Sequence, residues 1–450
     1  MSEIAFWFRR DLRFDDNCGL FHAIQQNQPL HLFFIFDPNI LNTLSRDDHR
    51  VSLIWNRLSD LQTQLQSVSN KLNIIFGPPI DVWRSILIEN PQIKSIYCNH
   101  DYEPYASARD NAVAMLCKSF QVQFHSFKDQ VIFEKFEIMT ESNQIYKVYT
   151  PFKKKWLATL QPQHYKSYSS SIERIAKLPT SSEIKLEQTA NSSIQIIKSL
   201  NDFGFKSSPL VPLPINYNQQ TLVHYSENRN NLAIENGTTR LGTVLRFGFI
   251  SIRKCVQNAL MLKADTWLSE LIWREFFMQI LFHFSDTVTK PFRHEFSFIN
   301  YRNDLNDFER WCHGETGYPI IDAGMRELNQ TGYMHNRARM ITASFLTKHL
   351  LLPWQWGERY FAKKLFDFDL SANVGNWQWV AGCGVDAAPY FRIFNPNLQT
   401  QKFDPQFIYI RKWLPEFGTA RYPKPIIDHN YARKRALVTF NQALKHRSTV

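Results

Sequence analysis

The chain has 450 residues with 44% hydrophobic content, which exceeds what one hydrophobic core usually organises, so we expect two domains. Its 52 Lys and Arg against 41 Asp and Glu give a net charge of +11 and a pI near 9.2. This excess indicates a polyanionic partner, and a merely basic protein is the alternative until a localised patch is found. The six cysteines form no CxxC pair, and neither a signal peptide nor a run of eighteen apolar residues is present. We therefore expect a cytoplasmic protein without a disulfide framework, a metal site or a membrane span.

Short apolar runs alternate with helical stretches through residues 1–133, and they read IAFWF, HLFFIF, LNIIFG, IKSIYC and VQFHSF. Strands that alternate with helices predict an α/β domain with a doubly wound parallel sheet. Polar segments follow three of the runs, at Arg9–Arg13, Asp37–Pro38 and Asp101–Arg109, and ligands of open α/β sheets bind at such carboxyl ends. No GxGxxG follows the first run, so an ordinary dinucleotide site is not predicted.

The middle of the chain predicts a connection between two domains. Residues 161–200 are rich in Ser, Thr, Lys and Gln and show little apolar periodicity, as long surface connections do. We therefore assign residues 134–200 to an interdomain connection. Over residues 201–450 apolar residues recur at three- and four-residue spacing, which predicts an all-helical second domain.

The segment GTTRLG, at Gly237–Gly242, separates two helical stretches. The hydroxyls of Thr238 and Thr239, the flanking glycines and Arg240 are suited to hold a diphosphate through hydroxyl and backbone N–H donors. A threonine-rich turn that caps a helix explains the same residues. Both interpretations stay open from the residues alone.

A polar stripe interrupts the apolar pattern of DTWLSELIWREFF. Glu270, Trp273, Arg274 and Phe277 fall on one helical face, and two ions with an indole on such a face indicate the wall of a cavity. The alternative is a Glu-Arg ion pair on a solvated face.

A second stripe lies in GYMHNRARM, where Asn336 and Met340 share a face and Arg337 and Arg339 lie beside them. His335 is more typical of a core histidine than of a catalyst. For Arg339, the expected ionic partner is one of two acids further along the chain, Asp367 or Asp369.

Acids, amides, tryptophans and small residues are concentrated in DFDLSANVGNWQWVAGCGVDAAPYFRIFNP, residues 367–396. Gly and Ala permit close approach of a ligand, Asp367 and Asp369 can accept hydrogen bonds, and Trp377 and Trp379 offer flat π-faces. The mixture indicates a wall around a large planar cofactor. Small residues and tryptophans that merely pack a core are the alternative.

These segments closely resemble the DNA photolyase and cryptochrome family over nearly the whole chain. The resemblance is carried by WFRRDLR, YTPFKKKW, TTRLG, SELIWREF, GETGYPIIDAGMRELNQTGYMHNRARMITASFL and DLSANVGNWQWVAGCGVDAAPYFRIFNP. It implies an N-terminal α/β antenna domain and a helical domain that holds FAD in a folded shape.

The resemblance also implies the residues that contact FAD. Asn373 would face flavin N5, where its amide can hydrogen-bond without adding a charge, and Gly242 replaces a serine of many relatives and loses one hydroxyl donor. The full set is Tyr225, Thr238, Thr239, Arg240, Leu241, Gly242, Trp267, Arg339, Asp367, Phe368, Asp369 and Asn373.

Within the family, MHNRARM resembles photolyases that act on cyclobutane pyrimidine dimers, because (6-4) photolyases carry a paired histidine where this chain has His335-Asn336. The resemblance implies light-dependent repair of such dimers in DNA, with a (6-4) photolyase or a cryptochrome-type blue-light photoreceptor as alternatives. The chain ends at Val450 without the long tail of many signalling members. The substrate residues it implies are Glu270, Trp273, Arg274, Asn336, Arg337, Met340, Trp379, Arg392 and Gln399.

Two further functions follow from the resemblance. Photoreduction of FAD would use Trp377 and Trp354, and the third family position, ten residues before Trp311, holds Tyr301 here. For the antenna, an Asn-Glu pair of folate-binding relatives is replaced by Tyr105 and Ala106. Methenyltetrahydrofolate, a deazaflavin, a flavin and an antenna site without a chromophore all stay open. We expect a monomer.

Overall fold

A computed structural model describes residues 2–186 and 194–445. Part of the predicted connection, residues 187–193, and the end of the chain at Val450 lie outside the described residues. The chain forms two compact units. The first combines Met1–Glu134, Leu160–Val211 and Val244–Asn258, and the second combines Lys135–Thr159, Pro212–Thr243 and Ala259–Val450.

A six-stranded sheet forms the centre of the first unit. Its strands are β1 (Glu3–Phe8), β2 (Leu30–Phe36), β3 (Leu72–Phe76), β4 (Ile93–Asn99), β5 (Gln123–Phe127) and β6 (Gln195–Ile196), in the order β5-β4-β1-β2-β3-β6. The first five strands pair in parallel and β6 pairs antiparallel with β3. The predicted parallel sheet is confirmed for all five apolar runs, whereas β6 follows polar sequence and was not predicted.

Alternate residues of β1 face the two sides of the sheet. Phe6 and Phe8 belong to one buried cluster, and Ala5 and Trp7 belong to the other. Every position of β1 and β2 is buried, as expected for parallel strands that helices cover on both faces. The helices of this unit include α1 (Cys18–Ile24), α2 (Pro38–Leu41), α3 (His49–Gln66), α4 (Pro79–Glu89), α5 (Pro104–Ser119) and α7 (Ile172–Ile175). Helix α6 (Tyr149–Thr159) belongs to the second unit.

The second unit is helical, as predicted. It contains α8 (Gln219–Val223) and α9 (Tyr225–Asn228). The chain then forms α10 (Gly242–Arg246) and α11 (Ile252–Met261), most of whose residues belong to the first unit. The second unit continues with α12 (Asp265–His283), α13 (Leu305–His313), α14 (Pro319–Thr331), α15 (Asn336–Ser344), α16 (Trp354–Lys364), α17 (Leu370–Ala381), α18 (Pro396–Phe403), α19 (Ile408–Trp413) and α20 (His429–Lys445). A π-helix at Phe345–His349 extends α15 directly. Short 3-10 turns occupy Pro162–Tyr165, Leu200–Phe203, Ser285–Val288 and His294–Phe298.

One large apolar cluster forms the core of the second unit. Trp311, Trp354 and Trp377 lie within it, contributed by α13, α16 and α17. Gly357 allows α16 and α17 to approach closely, because a Cβ at this position would lie 2.1 Å from Cη2 of Trp377. The helix that carries the predicted cofactor wall is therefore fixed against its neighbour.

In the described part of the chain, every helix is too short or too polar to cross a bilayer. Residues 2–186 and 194–445 also contain no group of three or more His, Cys, Asp and Glu side chains that could hold a metal ion.

Candidate functional site

A cleft of about 540 Å³ opens in the second unit between α15 and α17. The spacing of its lining residues follows the helical repeat, so each helix presents one polar stripe to the cleft. The lining consists of Asn336, Arg339, Met340, Ala343, Phe361, Leu365, Asp367, Phe368, Asp369, Ala372, Asn373, Asn376, Trp377 and Val380. The structure thus brings together predicted residues that are up to 41 positions apart in sequence, from Asn336 to Trp377.

Arg339 and Asp367 form the ionic pair at this cleft. Nη2 of Arg339 donates to Oδ2 of Asp367 at 2.9 Å, and its Nε donates to the carbonyl of Met334 at 2.7 Å. Asp367 is therefore the partner of Arg339 among the two acids considered. Within the described residues, the buried Oδ1 of Asp367 has no hydrogen-bond partner, so it can accept a hydrogen bond from a ligand in the cleft.

Gly242 lies directly against Asp367. A Cβ at position 242 would be 2.7 Å from Oδ2 and 2.8 Å from Cβ of that aspartate. A serine there would force one of the two residues to move. Glycine at this position, where many relatives have serine, therefore fits the close packing against Asp367.

Asp369 and Asn373 are fixed by helix α17 and its neighbour. Oδ1 of Asp369 caps α17 by accepting from the backbone N–H of Ala372 at 3.2 Å, and it also accepts from the hydroxyl of Ser371. Nδ2 of Asn373 donates to Oε1 of Glu358 at 2.8 Å and to the Glu358 carbonyl at 3.1 Å. Burial raises the pKa of the Glu358 carboxyl, while this hydrogen bond from Asn373 lowers it.

Successive side chains of the segment at 238–242 point to different sides of the backbone. Nε1 of Trp267 lies 3.4 Å from Oγ1 of Thr239, whereas Thr238 contacts the hydroxyl of Tyr333 at 3.4 Å. Arg240 donates to the Glu235 carbonyl at 2.5 Å. Thr238 and Arg240 line a second cavity of about 630 Å³, and Leu241 is buried. The structure therefore separates side chains that the sequence assigned to a single diphosphate contact.

Glu270 has an ionic partner that the sequence interpretation missed. Nη1 of Arg229 donates to Oε1 of Glu270, with both side chains partly buried. The Arg229 guanidinium also lies 5.4 Å above the ring of Tyr225, a predicted cofactor residue. Arg229 belongs to YSENRNN, and its position four residues after Tyr225 was the available signal.

Trp273 is stacked on a second residue that was not assigned a role. The ring of Tyr149 lies 3.6 Å from it, centroid to centroid, with an interplanar angle of 9°. Arg274 follows on α12 and is half-buried. Tyr149 is the first residue of YTPFKKKW, one of the motifs that carry the family resemblance.

Arg337 is held by neutral groups. Nη2 donates to Oδ1 of Asn230 at 2.5 Å, and the guanidinium lies 4.4 Å above the ring of Phe403. In residues 2–186 and 194–445 no carboxylate forms an ion pair with it. Burial, and then the charges of Arg229 and Arg392, lower its pKa.

Seven of the nine predicted substrate residues are absent from the lining of the cleft, namely Glu270, Trp273, Arg274, Arg337, Trp379, Arg392 and Gln399. Trp379 is half-buried against the core, Arg392 lies 5.8 Å above the ring of Phe394, and Gln399 lies on α18. The structure does not gather them with Asn336 and the other cleft residues.

Among the proposed electron donors, Trp377 contacts other aromatic rings. Its ring centroid lies 5.0 Å from Phe361 and 6.2 Å from Trp311. Trp354 is buried in the same core and Tyr301 packs against it. In the described part of the chain, neither of these two rings forms a comparable aromatic contact.

Loops at the carboxyl edge of the sheet meet in the first unit. Arg10 pairs with Glu103 at 2.9 Å and with Asp101 at 3.3 Å. The Tyr105 hydroxyl donates to Oδ2 of Asp37 at 2.5 Å, and Ala106 is buried. Tyr105, in the first turn of α5, therefore links this helix to the segment after β2.

Comparison with known proteins identifies the class that this fold and cleft define. Residues 4–171 match the DNA photolyase family, and residues 267–421 match the FAD binding domain of DNA photolyase. The deoxyribodipyrimidine photo-lyases of Synechococcus and Escherichia coli are each 34% identical to this chain, covering 98% and 99% of it and 97% and 100% of their own length. The chain therefore belongs to the DNA photolyase family.

Solved structures agree with this assignment. A class III photolyase from Agrobacterium tumefaciens superimposes with a TM-score of 0.87 at 30% identity, covering 99% of this chain and 98% of its own. A photolyase from Sulfolobus tokodaii with two FAD molecules gives a TM-score of 0.79 at 30% identity over 98% of this chain and 100% of its own. A Synechocystis cryptochrome, 24% identical with a TM-score of 0.85 over 98% and 99% of the two chains, shares the fold.

FAD is the cofactor of the matched domain, and the residues present fit it. The cleft offers an unpaired carboxylate oxygen at Asp367 and an amide at Asn373, and Gly242 leaves the space that the Asp367 side chain occupies. Trp377 and Val380 add apolar surface for a planar ring system.

Proposed function

We propose that this protein is a deoxyribodipyrimidine photolyase that repairs cyclobutane pyrimidine dimers in DNA with light. The observation that carries the proposal is the arrangement on α12 and α15, where Glu270, partnered by Arg229, stands one turn from Trp273, and Asn336 lines the FAD cleft. The curated relatives that carry this name match 98% and 99% of the chain.

When bound, reduced FAD supplies on excitation the electron that opens the two bonds of the cyclobutane ring, and the electron then returns. The protein has to position the groups and exclude water. Arg339, Asp367 and Asn373 hold the cofactor side of the cleft. Phe368 and Asp369 line the same cleft, and Tyr225, Thr239 and Trp267, which lie outside its lining, would add further cofactor contacts.

Substrate recognition requires the dimer to leave the duplex. Photolyases are a standard example of this behaviour, and unstacking costs about a few kcal/mol, least at a damaged base. Glu270 would accept a hydrogen bond from the dimer and stabilise its added charge. Trp273 and Trp379 would cover the faces of the bases, and Met340 would line the pocket beside Asn336.

Affinity for DNA would come from cations that meet phosphates. Arg337, Arg274 and Arg392 have this role in the proposal, with Gln399 as a neutral contact. These contacts add affinity without sequence information, as repair at arbitrary positions requires.

A single assay tests the proposed function. An oligonucleotide with one thymine dimer is illuminated with the reduced protein, and recovery of thymine absorbance is followed. We expect recovery that depends on light. Recovery with (6-4) lesions alone would favour the (6-4) photolyase, and recovery with neither lesion would favour a cryptochrome-type photoreceptor.

Two further properties belong to the proposal. We infer a cytoplasmic protein, since all six cysteines are free and buried, as in proteins of a reducing compartment, and we expect it to be a monomer. The antenna chromophore is expected at the carboxyl edge of the sheet. The Tyr105 hydroxyl donates to Asp37 there, and chromophore extraction with mass spectrometry would decide among methenyltetrahydrofolate, a deazaflavin, a flavin and an antenna site without a chromophore.

A further inference from the structure

Helix α6 begins with a tyrosine that lies flat on Trp273, the tryptophan assigned to the lesion in the proposed function. The rings of Tyr149 and Trp273 are nearly parallel at 3.6 Å, and Phe277 lies 5.4 Å from Trp273 at an angle of 28°. Phe277 in turn fills the space above Gly375 of α17, where a Cβ would be 2.2 Å from its ring. Tyr149 of α6 therefore contacts the indole on one side, and Phe277, which packs against α17, contacts it on another.

The position of Tyr149 is fixed by more than its ring. Its hydroxyl donates to the carbonyl of Ser269 at 2.7 Å, and Nζ of Lys153 donates to the hydroxyl of the same serine at 2.6 Å. One turn further along, Nε1 of Trp156 donates to Oε1 of Glu275 at 2.5 Å. Three residues of α6 are thus bound to the turns of α12 that flank Trp273.

Asp386 holds the start of α6. Its Oδ2 accepts a hydrogen bond from the backbone N–H of Tyr149 at 3.1 Å, which satisfies one of the N–H groups left unpaired at a helix start. Asp386 itself has φ of 47°, a conformation that Asp and Asn tolerate better than other non-glycine residues. Asp386, the aspartate of GVDAAPYF, therefore stabilises the start of α6.

We propose that Tyr149 is a positioning residue for lesion recognition, which fixes the indole of Trp273 for stacking on a damaged pyrimidine, with Asp386 anchoring Tyr149. The inference rests on the proposed function and deepens it. A ring that is already immobilised loses less conformational entropy when a base stacks on it. Because an undamaged duplex keeps its bases stacked inside, the contribution applies to damaged DNA alone.

The test measures affinity for a duplex with one thymine dimer and for the undamaged duplex. Tyr149→Ala is expected to lower the ratio of the two affinities by about tenfold, because the indole is no longer fixed for stacking on the damaged base, while affinity for undamaged DNA stays unchanged. KM for the dimer should rise and kcat under saturating light should stay the same. Tyr149→Phe, which keeps the ring, should retain the wild-type ratio.

Matched variants make the outcome specific. Tyr146→Ala removes a tyrosine from the segment before α6, whose ring lies 6.3 Å from Phe152, and should leave the ratio unchanged. Asp386→Ala should lower the ratio of the two affinities as Tyr149→Ala does. Asp386→Asn keeps an acceptor and tolerates the positive φ, so it should keep the wild-type ratio. FAD content and Tm are measured for every variant, and if Tyr149→Ala does not fold, the Asp386 variants decide.

The results separate the two proposals. If the wild type neither prefers nor repairs the dimer, the proposed function is wrong. If the wild type repairs and prefers the dimer but Tyr149→Ala and Asp386→Ala keep its full preference, the positioning role of Tyr149 is wrong. A parallel loss of affinity for damaged and undamaged DNA would also overturn it.

Discussion

Both N–H groups of the Asn373 amide point at Glu358. Nδ2 donates to Oε1 at 2.8 Å and to the backbone carbonyl at 3.1 Å. Since Asn has two amide donors and one carbonyl acceptor, Oδ1 is the atom left for a ligand in the cleft. If Asn373 faces flavin N5, as the family resemblance implies, an acceptor there favours the forms of FAD that carry a proton on N5, which are the reduced forms.

The first prediction concerns Glu358. Glu358→Leu removes one acceptor and releases the amide of Asn373, so the reduced form of FAD loses about one hydrogen bond. We expect the midpoint potential of the two-electron couple to fall by about 30 mV, measured in an equilibrium redox titration. Glu358→Gln keeps an acceptor oxygen and is the control. An unchanged potential in Glu358→Leu would show that another group orients the amide.

The second prediction concerns Glu270 and its partner Arg229. We expect Glu270→Ala to reduce the repair yield per photon more than it reduces FAD content, because a hydrogen bond to a charged group contributes about 1.5–3 kcal/mol and this one strengthens as the dimer gains an electron. Repair is measured by recovery of thymine absorbance, and FAD by its own absorbance. Recovery of apo-protein alone would indicate that the Arg229-Glu270 pair stabilises the fold.

The third prediction concerns Arg337, which contacts the neutral side chains of Asn230 and Phe403. Arg337→Ala should lower affinity for damaged and undamaged DNA alike, and it should reduce the slope of log affinity against log salt by about 0.9. Arg84→Ala removes the same charge from an exposed pair with Asp81 and should change neither. If Arg337→Ala changed only the preference for the lesion, its phosphate role would be wrong.

Local periodicity predicted much of the fold and the stripes of the cleft, but not the side-chain pairs. The parallel strands are continuous apolar runs, and Asn336 and Met340 share a face because their spacing fits one helical turn. The pairing of Glu270 with Arg229 joins residues 41 positions apart, and the stacking of Trp273 on Tyr149 joins two helices. Such contacts depend on tertiary packing, which residue spacing does not encode.

The segment at 238–240 shows a related limit. Two neighbouring threonines and an arginine suggest one common ligand, yet Thr239 lies near Trp267 while Thr238 and Arg240 line the other cavity. The backbone at Arg240 has φ of 52°, a left-handed conformation that redirects the chain. Composition identified the segment, but this backbone turn decides which of its side chains share a cavity.

The fourth prediction concerns pH and His335, which is only 6% exposed. Its Nδ1 accepts from the backbone N–H of Arg337 at 3.1 Å, and burial, then the charges of Arg339 and Arg337, lower its pKa from 6.5 to about 4. As pH falls, the unfolded chain binds the proton first. The stabilisation is therefore full above pH 6.5 and is lost as pH falls toward 4.

The loss should be on the order of 3 kcal/mol, measured by denaturant unfolding across this pH range. His335→Asn keeps an acceptor that can cap α15 but does not titrate. Its unfolding free energy should therefore fall less between pH 6.5 and pH 4. Identical pH profiles for the two proteins would assign the acid sensitivity to other groups.

The last prediction concerns Trp377, which lines the FAD cleft and contacts Trp311 and Phe361. Trp377→Phe should block light-driven reduction of oxidised FAD, because phenylalanine keeps much of the packing but is far harder to oxidise. Chemically reduced protein should still repair dimers, since that electron does not pass through Trp377. Transient absorption and the repair assay measure the two activities, and a parallel loss of both would contradict the separation.

The route beyond Trp377 is decided by three further variants. If Trp354 and Tyr301 carry the oxidising equivalent outward, Trp354→Phe should shorten the life of the radical pair, and Tyr301→Phe should remove a tyrosyl signal that the parent shows. Trp311→Phe should then behave like the parent, although its ring lies 6.2 Å from Trp377. Loss of the long-lived radical in Trp311→Phe, with normal behaviour of Trp354→Phe and only tryptophanyl signals in the parent, would remove Tyr301 from the path and make Trp311 the second donor.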